Sequence, residues 1–315
     1  MMQLALGRQG FSVAELLIAM TLGLLLVAVI LPIYRLAKQN YALQAAEAEI
    51  QTHANLAINI LGSQLRMAGF IGCTKPSQLK HSFEFGKQHN ELWGSRGSKV
   101  GWQPALPQKL NELKPKTDVI SFWSRAAQAY PVEQQADGNF KNKAIFNSGD
   151  TLLIASCEDA EILSVLCQRG DGLHCTKSDL TISKPKYRYQ QAELAKFQYD
   201  IYYLRRSKWQ VHASKNSYGL FHKSLLKLHA PAQELVEGIE DMKISYASKD
   251  PSRFVPASQV THWQSIRMVK IALLLVSNTQ ISAKPIPYHF NDKWYLADDR
   301  FLHREWVAYV YLRER

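Results

Sequence analysis

The hydrophobic pattern changes twice along the chain. From Phe11 to Leu31 run 21 residues of which only Glu15 is charged. As a helix rising 1.5 Å per residue they span about 30 Å, the thickness of a bilayer's hydrocarbon core. After Pro32 the pattern turns amphipathic. Leu36, Leu43, Ile50 and Ala57 recur every seven residues, and Ala54, Leu61, Leu65 and Ala68 occupy neighbouring positions on nearly the same face. Alanine and unbranched side chains favour helix, and Gly69 and Gly72 mark its end. The spacing predicts one helix of about 55 residues, apolar all round in its first half and striped in its second.

Beyond Cys73 the texture is that of strands. The region from Ser77 to Lys116 is polar and rich in Gly, Pro and Lys, and reads as loop. β-Branched and aromatic residues then predict strands at Asp118–Ser124, Asp150–Cys157, Phe197–Arg206, Lys208–Ser214 and Gly219–Leu226. Further strands are predicted at Met242–Ser248, Ser265–Asn278 and Trp306–Arg315, with a short turn at Arg206–Ser207. The run Ile271–Val276 is apolar on both faces, as a central strand requires. Ala230–Asp241 is expected to hold a short helical turn. Trp123, Trp209, Trp263, Trp294 and Trp306 are expected in the core.

Composition sets bounds on this picture. With 46% hydrophobic and 21% charged residues, the chain is that of a folded protein. Its formal charge of +11 suits anionic partners, nucleic acid or phospholipid headgroups, but Lys and Arg are scattered rather than clustered. The four cysteines, Cys73, Cys157, Cys167 and Cys175, follow a membrane-targeting segment, where an even count points to disulfides. Of the three possible pairings the favoured one is Cys73–Cys157 with Cys167–Cys175, the latter on spacing alone. Each bridge would stabilise by roughly 2–4 kcal/mol, the longer loop more. His174 stands beside Cys175, but no CxxC knuckle supports zinc. Glu158, Asp159 and Glu161 lack the regularity of a calcium loop. Arg169, Gly170 and Asp171 spell an adhesion tripeptide between two cysteines. No nucleophile elbow, Walker loop, HExxH or dinucleotide fingerprint occurs, so the residues suggest neither an enzyme nor a cofactor.

The apolar run is too long for a cleaved secretory signal, and no A-x-A site follows it. Arg8 before it favours a cytoplasmic N-terminus, with the rest of the chain outside. Glu15 is the anomaly, since a carboxylate within a membrane segment costs a few kcal/mol and calls for a partner. Cleavage after Gly10 would free the amine of Phe11 one helical turn from Glu15. A neighbouring subunit's amine could then neutralise the carboxylate during packing.

The stretch GRQG-FSVAELLIAM resembles the class III signal of type IV prepilins: a short leader ending in Gly10, Phe11 as first mature residue and Glu15 as the fifth. The resemblance implies a prepilin peptidase that cuts after Gly10 and methylates Phe11, and Pro32 matches the proline that bends pilin helices. The segments Arg66–Cys73, Leu152–Ala160, Glu234–Asp250, SIRMVKIALLL and WVAYVYLRER are similar to the PilW family of minor type IV pilins. The resemblance implies an α+β, pilin-like fold, a long N-terminal helix packed on a β-rich head. The implied divisions are a leader (1–10), a transmembrane and filament-core helix (11–34), an amphipathic helix (35–72) and a periplasmic or extracellular head (73–315). The implied role is that of a structural subunit that primes or caps pilus assembly, with motility, adhesion or DNA uptake downstream. Implied partners are the peptidase, other minor pilins, the major pilin and the inner membrane, with final residence in the pilus. A minor pseudopilin of a type II secretion system and a filament-tip protein that binds DNA or surfaces are the alternatives.

Overall fold

The computed structural model describes residues 12–74, 79–81, 113–132 except 115, 146–167, 180–182, 191–207 and 218–227, together with 230–282 except 249, 251 and 252, and 284–312. A single helix, α1 (Val13–Met67, 55 residues), leads into a β-rich head. The α+β class expected from the sequence is the one observed. Gly69 ends the helix in the left-handed region (φ 64°), where a side chain would be strained. Its N–H donates to the Trp123 carbonyl at 2.5 Å, and Phe70 O accepts from Arg125 N–H at 2.9 Å.

The head holds two principal sheets. The larger contains β1 (Leu79–His81), β2 (Ile120–Val132), β3 (Thr151–Ala155), β4 (Ala160–Cys167), β5 (Leu180–Ile182), β6 (Ala192–Arg206), β7 (Tyr218–Ser224) and β8 (Gln233–Glu237). Long β6 is its axis, pairing antiparallel with β2, β3 and β7. β1 pairs parallel with β4. The smaller sheet has the order β10 (Val255–Pro256), β9 (Ile239–Ala247), β11 (Met268–Gln280), β14 (Phe301–Tyr311). β12 (Pro287–Phe290) and β13 (Lys293–Leu296) form a separate hairpin.

Several elements depart from the sequence reading. Ala230–Asp241 holds strand β8 and the start of β9 rather than a helical turn, because buried Val236 pairs with Leu220 of β7 and buried Ile239 with Leu275 of β11. Arg206 of β6 pairs with Tyr218 of β7, and the residues that would complete the turn expected at Arg206–Ser207 lie outside the described residues. The strand expected at Lys208–Ser214, with Trp209, lies outside the described residues. Trp263 and Trp306 pack on the main core and Trp123 on a second one, but Trp294 is exposed on the β12–β13 hairpin.

The core lies where α1 meets both sheets. Ala46, Ile50, Ala54, Ala57, Leu61 and Leu65 are buried against Phe122, Tyr202 and Leu220 of the large sheet and Tyr246, Val269 and Leu273 of the small one. Alanines along this stripe let the backbone approach closely. Leu36 and Leu43, earlier members of the heptad series, stay exposed because the head covers the helix only from Ala46 onward. β11 is buried on both faces between β9 and β14, as its apolar run requires.

Gly238 alone separates β8 from β9, so the chain changes sheet there. Its φ is +74°, and a Cβ would stand 3.3 Å from both His53 Nδ1 on α1 and the Val276 carbonyl oxygen. Nearby, buried His303 on β14 pairs with Glu240 on β9 (Nε2 to Oε2, 3.0 Å) and stacks on Tyr288 of β12 with ring centroids 4.7 Å apart. Burial disfavours the imidazolium, but the Glu240 carboxylate, with Asp299, outweighs it and holds the His303 pKa above its ordinary value. Burial likewise opposes the Glu240 charge, yet His303 and Lys114 pull its pKa below the ordinary value.

Two outcomes are expected of the detergent-solubilised full chain. Gly238→Ala lowers unfolding stability by about 1–3 kcal/mol through strain at positive φ, and a melting curve unchanged from wild type would refute this. The His303–Glu240 pair contributes fully between the ordinary glutamate value of 4.5 and the ordinary histidine value of 6.5. Its contribution fades as pH rises through the raised His303 pKa, and also as pH falls through the lowered Glu240 pKa. Denaturant titrations across pH should therefore show stability declining on the alkaline side, with the decline flattened in Glu240→Gln.

Candidate functional site

The first turn of α1 is built by a Ser-x-x-Glu sequence. Ser12 is extended (φ −75°, ψ 149°), and its hydroxyl accepts the Glu15 N–H at 3.2 Å. In return the Ser12 N–H donates to Glu15 Oε2 at 3.0 Å. This reciprocal capping box satisfies two donors that a helix start leaves unpaired. It also holds the carboxylate at the positive end of the helix dipole. Sequence reading singled out Glu15 and passed over Ser12, although Ser-x-x-Glu before an apolar run is a legible signal. Gly10 and Phe11, the expected cleavage positions, lie outside the described residues.

From Val13 to Leu36 the aliphatic side chains are exposed all round the helix, Val13 by 76% and Leu24 by 70%. The Thr21 hydroxyl turns back to the Ile18 carbonyl at 2.8 Å and so presents little unpaired polarity. Pro32 sits inside the helix, which continues on both sides of it. Lacking an N–H, it leaves the carbonyl four residues earlier without its usual donor. This is the one helix among the described residues long and apolar enough to cross a membrane. A soluble monomer rarely leaves so large an apolar surface in water, and the segment is compatible with a membrane anchor.

The surface changes character at Ala46, where the head takes hold. Glu47 pairs with Arg304 of β14 (Oε1 to Nη2, 2.9 Å). Glu49 accepts the Asn278 side-chain amide and, at 3.4 Å, its backbone N–H. Together with His53 beside Gly238, these contacts fix the rotation of α1 on the small sheet, and hence which way its free half faces.

At the far end of α1 a disulfide joins Cys73 to Cys157 in the β3–β4 turn, with Cα atoms 4.6 Å apart. Thr74 Oγ1 donates to the Glu158 carbonyl at 3.2 Å beside it. Cys175, His174 and the tripeptide Arg169 to Asp171 lie outside the described residues, as does the side chain of Cys167. The Glu158 and Asp159 N–H groups donate to Ser156 Oγ at 3.2 and 3.1 Å, shaping that turn, while Glu161 is buried on β4. Among the described residues no group of three or more His, Cys, Asp or Glu side chains is placed to hold a metal ion.

No curated protein and no solved structure matches the chain significantly. One protein family does. Its model, described as Type IV Pilus-assembly protein W, matches residues 201–312. Those residues run from the second half of β6 to the end of β14 and include the whole of the small sheet that seats α1. The PilW resemblance read from the sequence is thereby borne out over residues 201–312, which match the type IV pilus-assembly family PilW.

Proposed function

We propose that the chain is a minor pilin, a membrane-held structural subunit that primes or caps a type IV pilus. The PilW match supports a role in pilus assembly. The observation that carries the finer reading is the division of α1, whose stretch Val13–Leu31 is exposed and almost wholly apolar while the part from Ala46 onward is seated on the PilW-matched sheet. Such a helix suits two successive environments, the bilayer before assembly and a bundle of like helices afterwards. Both are apolar, so transfer between them leaves the hydrophobic balance nearly unchanged.

Glu15 gives that transfer direction. In the isolated chain one carboxylate oxygen accepts the Ser12 N–H. The remaining lone pairs can accept from the ammonium group of a neighbour's Phe11, once a prepilin peptidase has cut after Gly10. Removing either charge leaves the other unpaired in an apolar bundle, which is strongly destabilising. Pro32 would bend the helix between its two halves. The enzymatic alternative has no support from any recognised site motif, and a family of assembly proteins does not suggest one.

The mature N-terminal peptide from native host cells should begin at Phe11 and carry one extra methyl group by mass spectrometry. A peptide beginning at Met1 or Met2 would leave a plain membrane anchor and sink the subunit reading. Glu15→Gln keeps an oxygen for the Ser12 cap but removes the charge. It should be processed normally yet enter sheared filaments at least about tenfold less than wild type. Equal incorporation would show that capping, not charge pairing, is the task of Glu15.

A further inference from the structure

On its side away from β11, strand β9 meets two different neighbours. Near its end β10 takes two rungs, Tyr246 pairing with Val255 and Ser245 with Pro256. Nearer its start Asp118 takes over, its N–H donating to the Met242 carbonyl at 3.0 Å and its Oδ2 accepting the Ile244 N–H at 2.8 Å. Pro256 has no N–H with which to carry the ladder on, and the chain leaves the sheet in a 3-10 turn, Ala257–Gln259. A cavity of about 110 Å³ lies in the gap, lined by Asp118, Val119, Ile244 and Tyr246 on one side and by residues 256–258 on the other. Pro256 and Ser258 are exposed, so the cavity opens to solvent there.

Tyr246 is fully buried, and among the described residues no hydrogen-bond partner reaches its hydroxyl. A buried hydroxyl left unpaired costs free energy. Trp263 packs edge-on against the ring (centroids 5.0 Å apart, planes at 77°) and holds it in place. Burial, and after it the Asp118 carboxylate, push the hydroxyl's pKa up, so at neutral pH it stays protonated and can both donate and accept. Asp118 supplies the charge. The Ile244 N–H occupies one of its oxygens, and among the described residues no lysine or arginine pairs with it. Lys243 donates instead to the Lys116 carbonyl at 2.6 Å and lies 3.9 Å from Asp241, while Lys114 donates to the Glu240 carbonyl.

A carboxylate only accepts hydrogen bonds, and a phenol oxygen can accept as well. Their common complement is a positively charged group rich in donors. Val119, Ile244, Pro256 and Ala257 add apolar wall, which suits a methylene stem. The volume is far below the roughly 300 Å³ at which pockets for drug-sized ligands begin, so the group is small. We propose that this cavity binds a primary alkylammonium, whose nitrogen donates to Asp118 and to the Tyr246 oxygen while its stem lies along the apolar wall. A lysine side chain of another protein and a free amine carry the same chemistry. Nothing in this site depends on the pilus-subunit reading.

The test uses the full chain in a non-ionic detergent with carbon-13 at the tyrosine Cζ atoms, and Tyr246→Phe identifies the Tyr246 signal. n-Butylammonium chloride should move that signal saturably, whereas tetramethylammonium chloride, which cannot donate, should leave it in place. Asp118→Asn keeps an oxygen for the Ile244 N–H but loses the charge, and should weaken binding at least tenfold without changing the melting temperature. Titration calorimetry of n-butylammonium into wild type and Asp118→Asn makes the same comparison with no signal to assign, should Tyr246→Phe fail to fold. No saturable binding, an equal effect of tetramethylammonium, or equal affinity in Asp118→Asn would overturn the proposal. In host membranes a water-soluble carbodiimide then joins Asp118 to whatever amine is seated beside it. An adduct with a lysine of a different protein supports the proposal and names a protein neighbour as the source, and an adduct with a small amine supports it and names a free ligand. Adducts only with this protein's own lysines, or none, would overturn it.

Discussion

Burial of one face of α1 in the angle between two sheets is the contact on which the remaining structure depends. The helix contributes Ala46, Ile50, Ala54, Ala57, Leu61 and Leu65, and each sheet lends the side chains that cover them. Without the helix, two sheets joined at Gly238 would expose a shared apolar interior. Without the sheets, the second half of α1 would keep only its own weak propensity, since helical stability in proteins comes mainly from packing. The seat also transmits orientation. Glu47, Glu49 and His53 contact the small sheet or the sheet-switching glycine, so the rotation of α1 is set by the head it is seated on.

That seat lies between the two ends of the helix. At one end lies an apolar shaft with a capped carboxylate in its first turn. At the other a disulfide holds the helix exit to the β3–β4 turn. In the proposed subunit role position has to be transmitted, because the register of one shaft against its neighbours would decide where each head is displayed. α1 and β14 run side by side, Glu47 meeting Arg304 and Gly62 lying against Val310, so the direction of the shaft and that of this strand are set together.

Much of this was legible in the sequence. Apolar residues in unbroken succession announced the shaft, alanines at helical spacing announced the seat, and Gly69 marked its end. The two-sided apolar run around Leu273 announced the central strand. Other features were not legible, for physical reasons. Leu36 and Leu43 continue the heptad pattern, but the head does not reach them. Trp294 has a strand context, but among the described residues no second layer covers its hairpin there. Val236 and Ile239 were read toward a helical turn because their local spacing is ambiguous, and the strand pairing that decides the matter is non-local.

By itself the sequence determined what is local: the length and polarity of the shaft, the positions of Glu15 and Pro32, the cysteines available for pairing and the strand-forming runs. Each follows from side-chain chemistry acting over one or two helical turns or a few strand residues. Tertiary structure alone decided the rest. It set Ala46 as the point where the helix enters the head, made Gly238 the crossing between sheets, buried His303 against Glu240 and, among the described residues, put β14 at the end of the small sheet. These depend on which distant segments meet, a choice made by the summed burial of the whole chain.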